Sequence, residues 1–384
     1  LLPRSLRAIA LTMLISGCSA VPILVNSQAG GTAELAESGR VYALVPNAAD
    51  DRELRRAAQS FSYRAQTSVN LPALDLIMVP IDLPAGVTGP EAIERLEDQV
   101  PSSTVGVNHA YRLQNIATQL DRRDYATAMM RWPEGGCRAA VPIGLIDGAV
   151  DASAPTIAGT RVTSRSFGTS RDAGMQHGTE VASVLVDPAR LSGVRLFSAN
   201  VISTAPAGEG LAGAASIVQA LDWLSGQGVP LVNISLAGPP NKLLAQAVQA
   251  ASDRGMVIVA AAGNDRFMAS VQYPAALPLV VAVTAIDADG QVYPTAVRGP
   301  HIAFAAPGVD IFVESRFGQR YVSGTSLAAP LVTSRLATQA GLGRNDLISG
   351  AIDLGAPGKD NVYGHGLITA ETACASPAAG APDS

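Results

Sequence analysis

Between Val41 and Val107 the apolar residues arrange themselves by turns into strand-length runs and helical stripes. Val41-Tyr42-Ala43-Leu44-Val45 is an uninterrupted apolar run and reads as a strand. Asp50 to Phe61 carries Leu54, Ala57, Ala58 and Phe61 at helical spacing, with acidic residues in the first turn, where the helix dipole favours them. Leu74 to Ile81 is a second strand, and Pro90 then opens a helix bearing Ile93, Leu96 and Val100. Val105-Gly106-Val107 closes the unit as a third strand. The order strand, helix, strand, helix, strand makes residues 40–110 a small α+β domain.

From Val141 the rhythm lengthens. Apolar strands at Val141 to Ile146, Val194 to Val201, Pro230 to Leu236, Met256 to Ala261 and Leu279 to Thr284 alternate with helices. The helices start from His177, near Ala214 to Leu224, near Asn241 to Arg254, and over Leu327 to Ala340. Strands without polar alternation, separated by helices, predict an α/β domain: a doubly wound, mainly parallel sheet with helices on both faces. We place it at 137–374, with a polar linker at 111–136 bearing Arg112, Arg122, Arg123 and Arg131, and a low-complexity tail at 375–384. No internal repeat is present.

Composition narrows the class. A chain of 384 residues with 48% hydrophobic content buries a large core and has room for more than one domain. Charged residues are 15%, the formal net charge is −5 and no dense Lys/Arg run occurs, so nothing points to a nucleic-acid partner. Arg4 and Arg7 precede an apolar stretch from Ala8 to Ile15 that is too short to span a bilayer, the layout of a signal peptide at 1–17. Ile15-Ser16-Gly17-Cys18 resembles the lipobox of bacterial lipoproteins, which implies lipidation at Cys18 and a membrane-anchored envelope protein. An ordinary signal peptide with an incidental cysteine is the alternative. A Gly/Ala/Ser-rich tether, 18–39, follows. Of the three cysteines, Cys137 and Cys374 remain for an oxidising compartment. A bond between them would join the start of the larger domain to its end and stabilise it by about 3 to 5 kcal/mol; the alternative is two unpaired thiols.

Three segments carry chemistry: Ile143-Gly144-Leu145-Ile146-Asp147, His177-Gly178-Thr179 and Gly324-Thr325-Ser326-Leu327-Ala328-Ala329-Pro330. A serine hydroxyl is a poor nucleophile until a base lies within hydrogen-bond reach and a third group holds that base's tautomer. Asp147 closes an apolar strand, His177 opens a helix and Ser326 precedes one, so the three side chains converge at one sheet edge. The bland readings are a turn aspartate, with Asp151 the nearest rival acid, and an N-cap serine. Of the four histidines, His109, His301 and His365 lack such a context.

The three motifs and their Asp, His, Ser order resemble the subtilisin family of serine peptidases over roughly Val141 to Ala373. Ile302-Ala303-Phe304-Ala305-Ala306-Pro307-Gly308 is similar to a family signature ahead of the nucleophile. The resemblance implies a subtilisin-like fold and a serine endopeptidase acting through Asp147, His177 and Ser326, with Asn264 in Ala262-Gly263-Asn264-Asp265 as oxyanion donor beside the Ser326 N–H. It further implies that Ser235, Leu236, Ala237 and Gly238 form a substrate-binding strand and that Ala261, Ala262 and Gly263 line an uncharged pocket. Residues 40–110 then resemble the family's propeptides, a folding aid that inhibits the active site, with processing in the linker. A structural domain is the alternative.

No cofactor is implied for catalysis. Structural calcium is common in the family, but no dense carboxylate loop allows ligands to be assigned. Four positions depart from the pattern: Gly148 where relatives carry a hydroxyl, Glu180 where a second histidine is common, Leu327 for Met, and Ala237 for Gly. A catalytically silent envelope lipoprotein using the fold as a binding module is the rival reading. An esterase is disfavoured because no Gly-x-Ser-x-Gly elbow surrounds Ser326.

Overall fold

The run at Val41–Val45 is buried on both of its faces, which is why it lacks polar alternation. It belongs to β1 (Arg40–Val45), which is followed by α1 (Ala48–Ser60), β2 (Arg64–Ala65), β3 (Val69–Leu71), β4 (Leu76–Asp82), α2 (Gly89–Gln99) and β5 (Thr104–Val107). The computed structural model describes residues 25–27, 31–33, 35–113, 116–118, 124–170, 172–204, 210–265, 270–316, 318–341 and 343–374. The signal segment 1–17, Cys18 and the tail 375–384 lie outside them.

β1 pairs antiparallel with β4 on one side and β5 on the other, and β2 and β3 extend β4. Local chemistry starts each helix: Asn47 Oδ1 accepts from Ala49 N at 2.8 Å and Asp50 N at 3.1 Å, and Thr88 caps α2 ahead of Pro90. One face of the sheet, Val41, Ala43 and Val45, packs on Leu54, Ala58, Ala92 and Leu96 of the helices.

Within the expected linker 111–136 the described residues include secondary structure. The linker contributes β6 (Ala110–Leu113), β7 (Ile116–Thr118) and α3 (Tyr125–Met129). Its polar sequence hid this because strands docked onto a neighbouring sheet edge draw stability from main-chain bonds, which leave no periodicity in side chains.

The larger domain runs through β8 (Ile143–Asp147), β9 (Arg161–Ser166), α4 (Met175–Leu185), β10 (Arg195–Asn200), β11 (Gly210–Gly213), α5 (Ala214–Gly226), β12 (Leu231–Ile234), β13 (Leu236–Ala237) and α6 (Lys242–Ser252). It continues with β14 (Val257–Ala261), β15 (Val280–Ile286), β16 (Ile302–Pro307), β17 (Ile311–Ser315), β18 (Gly318–Ser323), α7 (Thr325–Leu336) and α8 (Arg344–Ile348). Seven strands form one sheet in the order β9-β10-β8-β12-β14-β15-β16, and every pairing in it is parallel. The apolar strands predicted from sequence are its interior. The edge strand β9, Arg-Val-Thr-Ser-Arg-Ser, carries no apolar run because its side chains are largely exposed.

Helices α4 and α7 share one core with Leu145, Val259 and Val283. On the opposite face α5 and α6 share another with Ile146, Val232 and Ile258. That second core also takes in Tyr42, Leu44, Leu76 and Met78, so the outer face of the N-terminal sheet is buried on α5 and α6. Polar contacts seal the seam: Asp222 Oδ1 accepts from Ala73 N at 2.9 Å, and Asn241 Nδ2 donates to Val107 O at 2.7 Å. Cys137 and Cys374 are disulfide-bonded, with Cα atoms 5.5 Å apart across 237 residues of sequence. Among the described residues no helix is long and apolar enough to cross a membrane.

Candidate active site

Asp147 ends β8 at the carboxyl edge of the parallel sheet, the edge at which open α/β sheets bind ligands. Two glycines let α4 close on that edge. A side chain at Gly148 would run into the Gly174 carbonyl, and one at Gly178 into the carbonyls of Gly148 and Ala149. Gly174 itself starts α4 in the left-handed region, φ 79°. The close approach sets His177 Nδ1 2.8 Å from Asp147 Oδ1, with the acid fully buried and the imidazole 6% exposed. The Gly148 N–H donates to the same Oδ1 at 2.6 Å, so a backbone donor supports the acid where no hydroxyl is present. Asp147 Oδ2 receives no hydrogen bond among the described residues.

Ser326 is the second residue of α7, a helix buried along its whole length that packs against α4. At a helix start the ladder offers the first N–H groups no acceptor, and the dipole makes that end electropositive. Pro330 lies four residues on and has no N–H to give to the Ser326 carbonyl. Ser235 Oγ donates to that carbonyl instead, at 3.1 Å. Ser235 is in turn held by Asn233 Nδ2 at 2.9 Å, and Asn233 Oδ1 accepts from Thr333 Oγ1 at 3.1 Å, closing a buried relay between β12 and α7.

Asn264 follows β14. Its Oδ1 accepts from Thr325 N at 3.1 Å and from Thr325 Oγ1 at 3.0 Å, which fixes the amide with its Nδ2 end turned away from Thr325. Gly263 N donates to Thr325 Oγ1 at 3.1 Å, and its φ of 105° is a conformation only glycine adopts without strain. Thr325 thus joins the loop at Gly263 and Asn264 to the start of α7. Sequence reasoning assigned Thr325 no role, although its place beside Ser326 at a helix start was the available signal.

The substrate-strand residues meet the chain's own N-terminal segment. β6 lies antiparallel between β11 and β13, with Leu236 opposite Leu113, Ala237 opposite Arg112, and Ala212 opposite Tyr111. Tyr111 is fully buried, its hydroxyl 3.1 Å from Pro239 O, and Gly238 packs so closely that a Cβ there would lie 2.5 Å from the Tyr111 ring. Gly238 also bridges to Tyr273. Ala261 and Ala262 are buried at the end of β14, with Ala262 N bonded to Val283 O at 2.9 Å. Beyond β6, β7 pairs antiparallel with β18, placing Ile116 opposite Ser323. Asp151 is apart from this arrangement, held by Ser153 and the Thr179 hydroxyl. Among the described residues no cluster of three or more His, Cys, Asp or Glu could hold a metal ion.

The model of the subtilase family matches residues 138–342, just over half of the chain. Subtilisin Savinase of Lederbergia lenta is 34% identical over 219 residues, which are 52% of this chain and 78% of that protein. Subtilisin DY of Bacillus licheniformis is 32% identical over 258 residues, 61% of this chain and 90% of its own length. Minor extracellular protease Epr of Bacillus subtilis is 35% identical over 165 residues, and the match spans only 25% of that protein. Fervidolysin from Fervidobacterium pennivorans, described as a keratinolytic enzyme related to subtilisin, superposes with a TM-score of 0.72 at 20% identity, over 90% of this chain and 62% of that one. This last likeness shows the fold.

Proposed function

Because this chain belongs to the subtilase family, we propose that it is a serine endopeptidase of the cell envelope, with Asp147, His177 and Ser326 as its triad. The observation that carries this reading is the buried 2.8 Å bond from His177 to Asp147, made on a helix that packs against the one opening with Ser326. His177 takes the Ser326 proton as Oγ attacks the scissile carbonyl, and Asp147 holds Nδ1–H and steadies the imidazolium that forms. The oxyanion of the tetrahedral intermediate is received by the Ser326 N–H and Asn264 Nδ2, whose orientation Thr325 sets. His177 returns the proton to the leaving amine, an acyl-enzyme remains on Ser326, and water attacks it by the same route.

Substrates are extended peptides that add a strand between β11 and β13. Residues 40–113 act as a propeptide: the seating of β6 in that slot and of β7 on β18 supports cleavage in the connection between Leu113 and Ile116. The pairing register also supports inhibition by the same segment before and after the cut. Secretion and lipid anchoring through Cys18 rest on the segment from Arg4 to Cys18. Cys18→Ser is expected to release the protein from the membrane fraction.

A fluorophosphonate probe tests the central reading. Wild-type protein is expected to carry the adduct on Ser326, Ser326→Ala none, and the Ser326→Ala chain is expected to keep its bond between β6 and β7 intact by mass spectrometry. Folded, processed wild type that takes no adduct would return the weight to the binding-module reading.

A further inference from the structure

Helix α4 carries a second acidic feature besides its contact with Asp147. Glu180 follows His177 by one helical step, on the same flank of the helix, and is 1% exposed. A carboxylate so placed is costly unless paired, and here the pairing is a two-pronged fork. Arg320 Nε donates to Oε1 at 2.8 Å and Arg320 Nη2 to Oε2 at 2.9 Å, while Gln176 Nε2 donates to Oε1 at 3.1 Å. Arg320 belongs to β18, the second strand of the β17–β18 hairpin. A second link at the hairpin tip, Arg316 to Asp151 at 3.3 Å, is half exposed and contributes little.

The hairpin has two functions that this fork couples. β18 runs directly through Gly324 into α7 and Ser326, and its outer edge, Tyr321 to Ser323, pairs with β7. β7 follows β6 in the chain, so with the cleavage proposed between Leu113 and Ile116 it stands on the leaving-group side. A leaving-group peptide that binds there pairs with a single edge among the described residues, and the fork, beside the packing of β17 on α4, ties that edge to the helix that carries His177.

We infer that Glu180 and Arg320 are positioning residues that fix the β18 edge against the His177 helix, and so set how the enzyme binds the portion of a substrate on the leaving-group side of the scissile bond. This rests on the peptidase reading above. A fork that merely stabilises the fold would act alike on every substrate, whereas one that positions β18 acts on those that reach it.

The test compares two substrates sharing one acyl portion: a peptide p-nitroanilide, which ends at the scissile bond, and an internally quenched peptide with four residues beyond it. For Arg320→Gln, kcat/KM on the extended peptide is expected to fall about tenfold, mostly in KM, while the p-nitroanilide changes by less than about twofold. Arg320→Lys keeps the charge without the planar fork and is expected to recover only part of the loss. Glu180→Gln, which retains hydrogen-bonding capacity at the buried end, is expected to move the same ratio in the same direction. Equal losses on both substrates, or none on the extended one, in whichever of these variants folds would overturn the inference. Wild type that cleaves neither substrate would instead overturn the peptidase reading.

Discussion

On one flank of the cleft Ala110–Leu113 is wedged between β11 and β13, so both edges of its backbone are used and Tyr111 is buried against Gly238. On the other flank Ile116–Thr118 pairs, among the described residues, with β18 alone, and Arg320 of β18 is bonded to Glu180 of α4. The first flank is a slot made of main chain, whose backbone bonds supply affinity while its small side chains leave room for the inserted strand. The second is a shelf that a side-chain ion pair ties to α4, beside the packing of β17. With the cleavage proposed above, the contrast sets an acyl side gripped by main chain against a leaving side carried on a support that substitution can move.

The largest effect is expected where the flanks meet. Asn264→Ala removes the proposed oxyanion donor, which would serve both, so kcat should drop by about 10²- to 10³-fold with KM nearly constant. Steady-state kinetics on substrates that do and do not extend past the bond should show equal losses; unequal ones would mean that Asn264 also serves one flank.

Gly238→Val attacks the slot alone. Its added carbons meet the Tyr111 ring and the Ala110 carbonyl, and kcat/KM for a peptide copying residues 107–118 should fall about thirtyfold. The same peptide with alanine in place of Tyr111 should lose less. Insensitivity of both would show that the slot is wide enough to shift the bound strand.

Thr325→Val keeps volume but deletes the hydroxyl that bonds Asn264 and Gly263. A fall of about fivefold in kcat on either substrate is expected, because the Thr325 N–H still orients the amide.

The smallest effect is one of pH. His109, just before β6, is buried and takes a hydrogen bond from Asn241 Nδ2 at 3.2 Å, and burial pushes its pKa below the ordinary value of 6.5. The folded protein therefore favours the neutral ring, while the unfolded chain takes up a proton first as pH falls through about 6.5. The stabilisation is complete above that pH and is lost from there down to the folded pKa, at no more than about 1.4 kcal/mol per pH unit. In the Ser326→Ala background, which keeps the slot filled, the melting temperature should decline below pH 6.5 more steeply than in His109→Asn. Identical slopes would remove His109 from the docking of the slot.

Legibility divides along a similar line. The five inner strands of the parallel sheet, β8, β10, β12, β14 and β15, and helices α1, α2, α4, α5, α6 and α7 were readable because burial on one or two faces writes itself into apolar periodicity. Boundaries moved by a few residues, as at β4, which begins at Leu76 after the turn that follows Leu71. β6, β7 and the β17–β18 hairpin left no comparable trace, since main-chain pairing selects no residue type. Gly148 shows a further limit: read alone it is a missing hydroxyl, yet in three dimensions it is the space into which Gly174 closes.

The sequence by itself determined the class of fold, the order of the motifs that carry Asp147, His177 and Ser326, and the strands and helices of an α+β unit ahead of them. Those depend on local periodicity and on short motifs, each of which is complete within a few residues. Only the tertiary structure decided that the outer face of that domain is buried on α5 and α6, that Cys137 meets Cys374, that Thr325 orients Asn264, and that Glu180 reaches Arg320. Each of these joins residues far apart in the chain, and their meeting depends on how strands register and helices close, which no single segment encodes.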